Sequence, residues 1–333
     1  MQKKISEVNK MHLDLKKINK LNILIIGDII LDKYIYGEIN RQSPEAPIPV
    51  IDQQEEKNIL GGAANVAYNL HTLGASPVLI GTVGNDKNGT IIKQLYTSII
   101  DKNIHIIDCN KKTTTKTRVV VDGRQILRID DENTTPINEI ETAKLIETVT
   151  SIIESNNLSG LILQDYNKGI LTKVNIKLLI EIAHKNNIPV FADPKHDNFW
   201  EYKHVDFFKP NNKELLIACR LQKSQISEAA VTTLKRLSCK ALIVTLAQDG
   251  IMYLTKDKNG IAKTVKIEQA DVSGAGDTTL AMMVIAYLTD HKIEDIAQLG
   301  NIAGMLVCKK PGVSTIKLKE VQNCLNADKK MKK

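Results

Sequence analysis

The chain has 333 residues, 43% of them hydrophobic, 25% charged and only 4% aromatic, which suits one large α/β domain or two ordinary ones with an aliphatic core. Its net charge of +7 suits an anionic substrate, while the scarcity of aromatics and the lack of a basic–aromatic stripe argue against a nucleic-acid partner. Five scattered cysteines with no CxxC pair argue against a disulfide framework, histidines without ligand spacing argue against a dedicated zinc site, and the apolar runs all fall short of the roughly 18 residues a membrane span needs, so a cytoplasmic protein with no membrane partner is expected.

Residues 1–20 are charged and weakly amphipathic and read as a leading helix. NILIIG (22–27) reads as a buried strand, a short isoleucine-rich run closed by glycine. Residues 33–53, KYIYGEINRQSPEAPIPVIDQ, carry three prolines and no helical period. GGAANVAYNLHTLG (61–74) reads as a helix entered through glycines and stopped at Gly74. SPVLIGTVG is the next strand, followed by a helix through TIIKQLYTSII and the strand IHIID. In TTKTRVVVDGRQILRID, β-branched runs flank Asp122-Gly123, a short-range hairpin signal. This segment and the proline-rich one are expected to form a small antiparallel sheet apart from the main one. From residue 138 the alternation is regular: a helix, the strand GLILQDY, a helix, IPVFADP, a short strand at VDFFKP, helices over 212–238, and ALIVTL. Such alternation predicts a parallel sheet covered on both faces, with its ligand along the edge where the strand C-termini lie. One domain spanning 1–333 with a β appendage fits better than two.

Nucleotide fingerprints are missing at the usual places. No glycine is followed by lysine, which excludes a Walker A loop, and the first strand ends GDIILD rather than GxGxxG. The chemistry concentrates instead in DVSGAGD (271–277). Gly274, Ala275 and Gly276 make a sharp turn through which the backbone can approach a ligand, and the turn feeds a helix whose free N–H groups attract an anion. Asp277, in the first turn, is placed to accept a proton from an attacking hydroxyl, the division of labour phosphoryl transfer requires.

Three motifs in order, GGAANVA (61–67), NNKE (211–214) and DVSGAGD, resemble the signatures of the ribokinase-like (PfkB) carbohydrate kinases over nearly the whole chain. The strings GDIILDKYIYG, RQSPEAPIPV, QDYNKG and DPK are similar to one subfamily, the D-glycero-β-D-manno-heptose 7-phosphate kinases. The resemblance implies a three-layer α/β/α fold with a mostly parallel central sheet and a small β lid from about 33–60 and 113–130. It implies transfer from ATP, with Mg2+, to the anomeric hydroxyl of the heptose phosphate. The 1,7-bisphosphate product would lie on the route to ADP-heptose and the lipopolysaccharide inner core of Gram-negative bacteria. The kinase is often fused to a nucleotidyltransferase, and the absence of an HxGH-type motif favours the stand-alone form.

By the same resemblance Asp277 and the Gly274-Ala275-Gly276 turn would be catalytic. Asp32, Gly61, Gly62 and Asn65 would hold the sugar, and Asp193 and Lys195 follow a strand end beside it. Arg41 and Lys168 would read the 7-phosphate, helped by Arg118 and, from the same hairpin, Arg128. Asn211, Asn212, Lys213, Glu214, Thr245, Gly250 and Asn301 would line the nucleotide, with Glu214 near the metal through water. Asp271 and the 312–314 loop match a region where some relatives hold a monovalent cation such as K+. Edges of the small sheet suggest a homodimer through the lid. Two departures bear on the substrate: Gln164 stands where the subfamily usually has Ser, and Lys213 where it has a more neutral residue. Another ribokinase-like sugar or nucleoside kinase, and a sugar-binding regulator that keeps the fold, remain as alternatives.

Overall fold

In the computed structural model, β1 (Asn22–Gly27) is buried from Ile23 onward because both its faces are covered. Ile23 and Ile25 point into one core with the helices Ala63–Thr72, Ala275–Leu288 and Ile293–Cys308. Leu24 and Ile26 point into a second, with Glu139–Ser155, Lys173–Lys185, Asn212–Cys219 and Ile226–Leu237. The structure describes residues 11, 13–100, 103–264 and 271–331. Most of the leading helix expected over 1–20 lies outside them; within them Leu15–Ile18 is helical, capped by Asp14.

The remaining strands are β2 (Ile29–Gln42), β3 (Pro49–Gly62), β4 (Ser76–Val83), β5 (Ile104–Asp108), β6 (Thr115–Val121), β7 (Arg124–Asp131), β8 (Gly160–Gln164), β9 (Val190–Asp193), β10 (Phe207–Phe208), β11 (Ala241–Thr245), β12 (Ile251–Thr255) and β13 (Asn259–Ala262). The main sheet runs β13-β12-β11-β10-β9-β8-β1-β4-β5. It is parallel from β5 to β11, and β12 and β13 add an antiparallel edge that the helix–strand alternation did not foretell. The chain leaves β1 for β4 on one side and returns at β8 on the other. This is the switch point at which open α/β sheets bind ligands.

The small sheet has the order β3-β2-β6-β7. It corrects the antiparallel expectation: β2–β3 and β6–β7 are antiparallel hairpins, but β2 and β6 pair in parallel. β2 starts buried in the core and runs out until its last residues are exposed. Outer strand β7 is exposed throughout, and Ile39, Ile48, Ile126, Leu127 and Ile129 present apolar side chains to solvent.

The helix Ala275–Leu288 is buried at every residue from Asp277 to Ala286. Each large aliphatic side chain so covered contributes about 1.5–3 kcal/mol, which fixes the helix and holds its N-terminus at the C-terminal edge of the sheet.

Candidate active site

Asp277 sits at that N-terminus, 4% exposed, facing the ends of β1, β8 and β9. Three donors converge on its carboxylate: Asn65 Nδ2 on Oδ2 at 2.7 Å, Tyr166 Oη on Oδ1 at 2.8 Å and Gln164 Nε2 on Oδ1 at 3.2 Å. Burial pushes its pKa up to about 6; the bonds from Asn65 and Tyr166 and the charge of Lys209 pull against that, and Asp193 pushes with it. Such a carboxylate is ionised at neutral pH yet basic enough to take a proton from a hydroxyl.

Beside it the glycine turn has the expected form. Gly274 adopts φ 72°, and a Cβ there would stand 2.8 Å from Asn65 Nδ2. Gly276, one residue before the acid, is exposed, so the turn opens outward. Asn65 is locked in turn: its Oδ1 accepts from Asn69 Nδ2 at 3.1 Å, and Asn69 Oδ1 accepts from the Thr278 hydroxyl at 2.8 Å. The Ala63–Thr72 helix is thereby laced to the helix of the acid.

The roots of β2 and β3 form the next wall. Asp32 is buried, with one oxygen held by Arg118 of β6 and the other against Gly61, where a Cβ would stand 2.1 Å from Oδ2. Gly62 caps the helix at φ 59°, ψ −134°, a region closed to side chains, and a Cβ there would meet the Asp28 carbonyl at 2.3 Å. Asp28, at the end of β1, is buried, and its Oδ2 accepts the backbone N–H groups of Tyr166 at 2.8 Å and Lys168 at 3.0 Å. It fixes the loop that carries Tyr166.

The other residues singled out in the sequence divide into three groups. Asn211 and Glu214 form a reciprocal capping box, Asn211 Oδ1 accepting from Glu214 N at 2.9 Å and Glu214 Oε2 from Asn211 N at 2.8 Å. The free oxygen of Glu214 is taken by Lys195, whose ammonium also lies 5.2 Å from the centre of the Tyr166 ring. Asn212 follows in the first turn, and Lys213 points to solvent. Thr245 is bridged to Asn211 across the end of β11.

A second group converges on Ala262. Asn301 is buried rather than on a helix surface, and its Nδ2 donates to the Ala262 carbonyl at 2.6 Å. Gly250, at φ 100°, passes so close that a Cβ would stand 2.1 Å from the same oxygen.

The third group is corrected or qualified. Asp193 turns inward, its Oδ2 held by Lys209 at 2.9 Å and Gln164 at 3.3 Å, so it supports the site's floor. Lys168 Nζ is paired with Glu132 at 2.9 Å. Arg128 chelates Asp130 at 2.9 and 2.8 Å. Arg41 is exposed on β2, and at a rise of about 3.3 Å per residue it lies roughly 30 Å along the strand from Asp32. The fold does not bring it to the Asp277 site of its own chain. Asp271 accepts from Gly312 N at 2.7 Å and Ser273 N at 2.9 Å.

Sequence reasoning passed over Asp28, Tyr166 and Lys209 and saw Gln164 only as a departure. All four stand at or just past the C-terminal end of a predicted strand, the one signal that could have marked them. For Mg2+, the described residues hold no cluster of three or more His, Cys, Asp or Glu that could bind a metal. Magnesium keeps several waters and needs only one or two carboxylates beside a polyphosphate, so Glu214 is a fitting oxygen donor at water's distance.

Comparison with known proteins identifies the family. The family described as pfkB family carbohydrate kinase matches residues 20–320. Bifunctional protein HldE of Hyphomonas neptunium is 37% identical over 309 residues, covering 91% of this chain and 63% of its own length. Its namesake in Helicobacter pylori is 36% identical over 308 residues, covering 91% and 66%. The chain thus spans less than two thirds of these relatives. Among solved structures, phosphofructokinase-2 from Escherichia coli in complex with substrates and products superposes with a TM-score of 0.76 at 19% identity, over 92% of this chain and 99% of that one. The microbiome-derived acarbose kinase Mak1 gives 0.70 at 16%, over 92% and 99%. At these identities the two structures speak for the fold.

Proposed function

The chain belongs to the pfkB family of carbohydrate kinases, ATP-dependent enzymes on sugars, and from that premise we propose that it phosphorylates the anomeric hydroxyl of D-glycero-β-D-manno-heptose 7-phosphate with Asp277 as the base. The observation that carries the chemistry is a buried carboxylate held by three donors beside an open glycine turn at a helix N-terminus. The anomeric oxygen attacks the γ-phosphorus of ATP, the bond to the β–γ bridging oxygen breaks, ADP leaves, and the hydroxyl proton passes to Asp277. The N–H groups at the turn face the transferred phosphoryl group. Asp32, Gly61, Gly62 and Asn65 hold the sugar. Magnesium, when bound, would neutralise the polyphosphate charge, and Glu214 would be the residue to hold it through water. Asp271 and the loop at Gly312 are the place for a monovalent cation.

Support for the heptose phosphate comes from the segments GDIILDKYIYG, RQSPEAPIPV and QDYNKG, and from cations around Asp32: Arg118 on its carboxylate and Lys116 and Lys168 sharing Glu132. ADP release measured across phosphorylated and free sugars tests the assignment, and turnover confined to unphosphorylated sugars would overturn it. The exposed isoleucines of the small sheet favour a homodimer that covers them, which sedimentation checks.

Two further results are expected. Tyr166→Phe removes a donor that lowers the pKa of Asp277. The base works deprotonated, so the acid limb of kcat/KM should move to higher pH in the variant. Titration of the substrates is common to both enzymes and cancels in the comparison; superimposable limbs would take Tyr166 out of this role. Chelation by EDTA should abolish turnover and Mg2+ restore it, and Glu214→Gln should raise the Mg2+ concentration needed for half-maximal rate. An identical Mg2+ titration would remove Glu214 from the metal's surroundings.

A further inference from the structure

Asp28 follows β1 and Asp165 follows β8, and each is only 1% exposed. Burying a carboxylate is costly unless it is hydrogen-bonded. Here the compensating bonds come from the main chain of one loop. Asp28 Oδ2 accepts the N–H groups of Tyr166 at 2.8 Å and Lys168 at 3.0 Å, and Asp165 Oδ1 accepts that of Asn167, between them, at 2.7 Å. Asp165 is steadied in turn by the Tyr202 hydroxyl, which donates to its Oδ2 at 2.7 Å. Three successive N–H groups thus end on two buried carboxylates. The loop has no slack on its other side. Lys111 Nζ donates to the carbonyls of Lys168 at 2.6 Å and Thr135 at 3.3 Å, Asn167 stands at φ 54°, and a Cβ on Gly169 would lie 2.4 Å from the Thr135 oxygen. From this loop two side chains leave for different parts of the site. Tyr166 reaches Asp277 Oδ1 at 2.8 Å, and Lys168 reaches Glu132, just past β7, at 2.9 Å.

We propose that Asp28 is a positioning residue that serves both ends of the substrate from one place. A single oxygen holds the main chain on either side of Asn167. The hydroxyl that donates to the base and the ammonium assigned to the remote phosphate are therefore set relative to one another through the backbone of three residues. A carboxylate suits the task because it only accepts, and its two oxygens have room for several donors. Its effect is exerted through Tyr166 and Lys168, and a displacement of about 1 Å in groups so placed can lower a rate by about 10²-fold.

The inference rests on the roles proposed above for Tyr166 and Lys168. Asp28→Asn and Asp28→Ala both remove the charge that Asp165 and Lys111 face. Only Asn keeps an oxygen in the place of Oδ2, its amide falling where Oδ1 now makes a long contact of 3.5 Å with Ile170 N. Comparing the two variants separates position from charge. The acid limb of kcat/KM should lie at higher pH in Asp28→Ala than in Asp28→Asn, because loss of the Tyr166 bond raises the pKa of Asp277. The preference for heptose 7-phosphate over free heptose should be lower in Asp28→Ala by about 10-fold or more, the loss of a hydrogen bond to a charged group. A residue that merely supports the fold would scale both sugars alike and leave the limb in place. Where the wild type prefers the phosphorylated sugar, coincident limbs or equal preferences in the two folded variants overturn the proposal. A wild type without that preference marks failure of the substrate reading instead, and the limbs then decide whether Asp28 sets the base. If Asp28→Ala does not fold, hydrogen exchange on the wild type decides: protected amides at Tyr166 and Lys168 uphold the proposal, and amides exchanging as freely as those of an exposed loop overturn it.

Discussion

Asp277→Asn is expected to lower kcat by about 10²–10⁴-fold, the span for loss of a general base, while nucleotide affinity stays near that of the wild type. Asn keeps the size of the side chain and cannot accept the hydroxyl proton. Its carbonyl can still accept from Gln164 and Tyr166, as Oδ1 does now. Its amide, however, would face Asn65 Nδ2, donor against donor. Asn65 can flip only by giving up Asn69, so a stability loss of about 1–3 kcal/mol should accompany the kinetic loss. Steady-state ADP release, calorimetry with MgADP and thermal unfolding separate the three effects. Near-native turnover in a folded variant would end the assignment of Asp277 as base.

The second large effect concerns the remote phosphate. Wild type is expected to prefer heptose 7-phosphate strongly over free heptose, and Lys168→Ala to erase about 10–150-fold of that preference, the value of a hydrogen bond to a charged group. Binding energy far from the reacting hydroxyl orients it, so kcat should fall along with affinity on the phosphorylated sugar and change little on the free one. Lys168 is held by Glu132 and by the loop that Asp28 fixes, so the phosphate exchanges one carboxylate for another anion without moving the chain. Arg41→Ala serves as control: its place far out on β2 should leave the ratio unchanged. The ratio of kcat/KM for the two sugars decides, and an equal ratio in wild type and Lys168→Ala would mean that Lys168 does not read the phosphate.

The strand–helix alternation was legible because Ile23–Ile26 and Leu161–Leu163 are short apolar runs buried on both faces. The turn at Gly274 and the acid behind it were legible for the same local reason, that only glycine adopts such a backbone freely. What escaped is non-local. That β2 pairs with β6 in parallel depends on strands distant in sequence finding one another. That Gln164, Tyr166 and Lys209 turn toward Asp277 or Asp193 depends on which side chain at a strand end meets the opposite helix, and hydrophobic period is silent there. The distance of Arg41 from the Asp277 site of its own chain escaped because a likeness between segments carries no distance along a strand.

β2 has one end clamped in the core, at Ile29–Leu31, and the other in solvent, and Asp32 lies just beyond the clamp. It is therefore a beam anchored at one end, with the buried carboxylate of Asp32 beside the anchor. With an arm of roughly 30 Å from Asp32 to Arg41, a tilt of about 10° swings the outer end through roughly 5 Å while the carboxylate shifts by a small fraction of that. β3, ending in Gly61 and Gly62, is paired with β2 along nearly its whole length, which makes the two one ribbon. On the sugar-binding role proposed for Asp32, Gly61 and Gly62, a tilt of this arm would be large at the distant apolar end and small at the carboxylate and the two glycines.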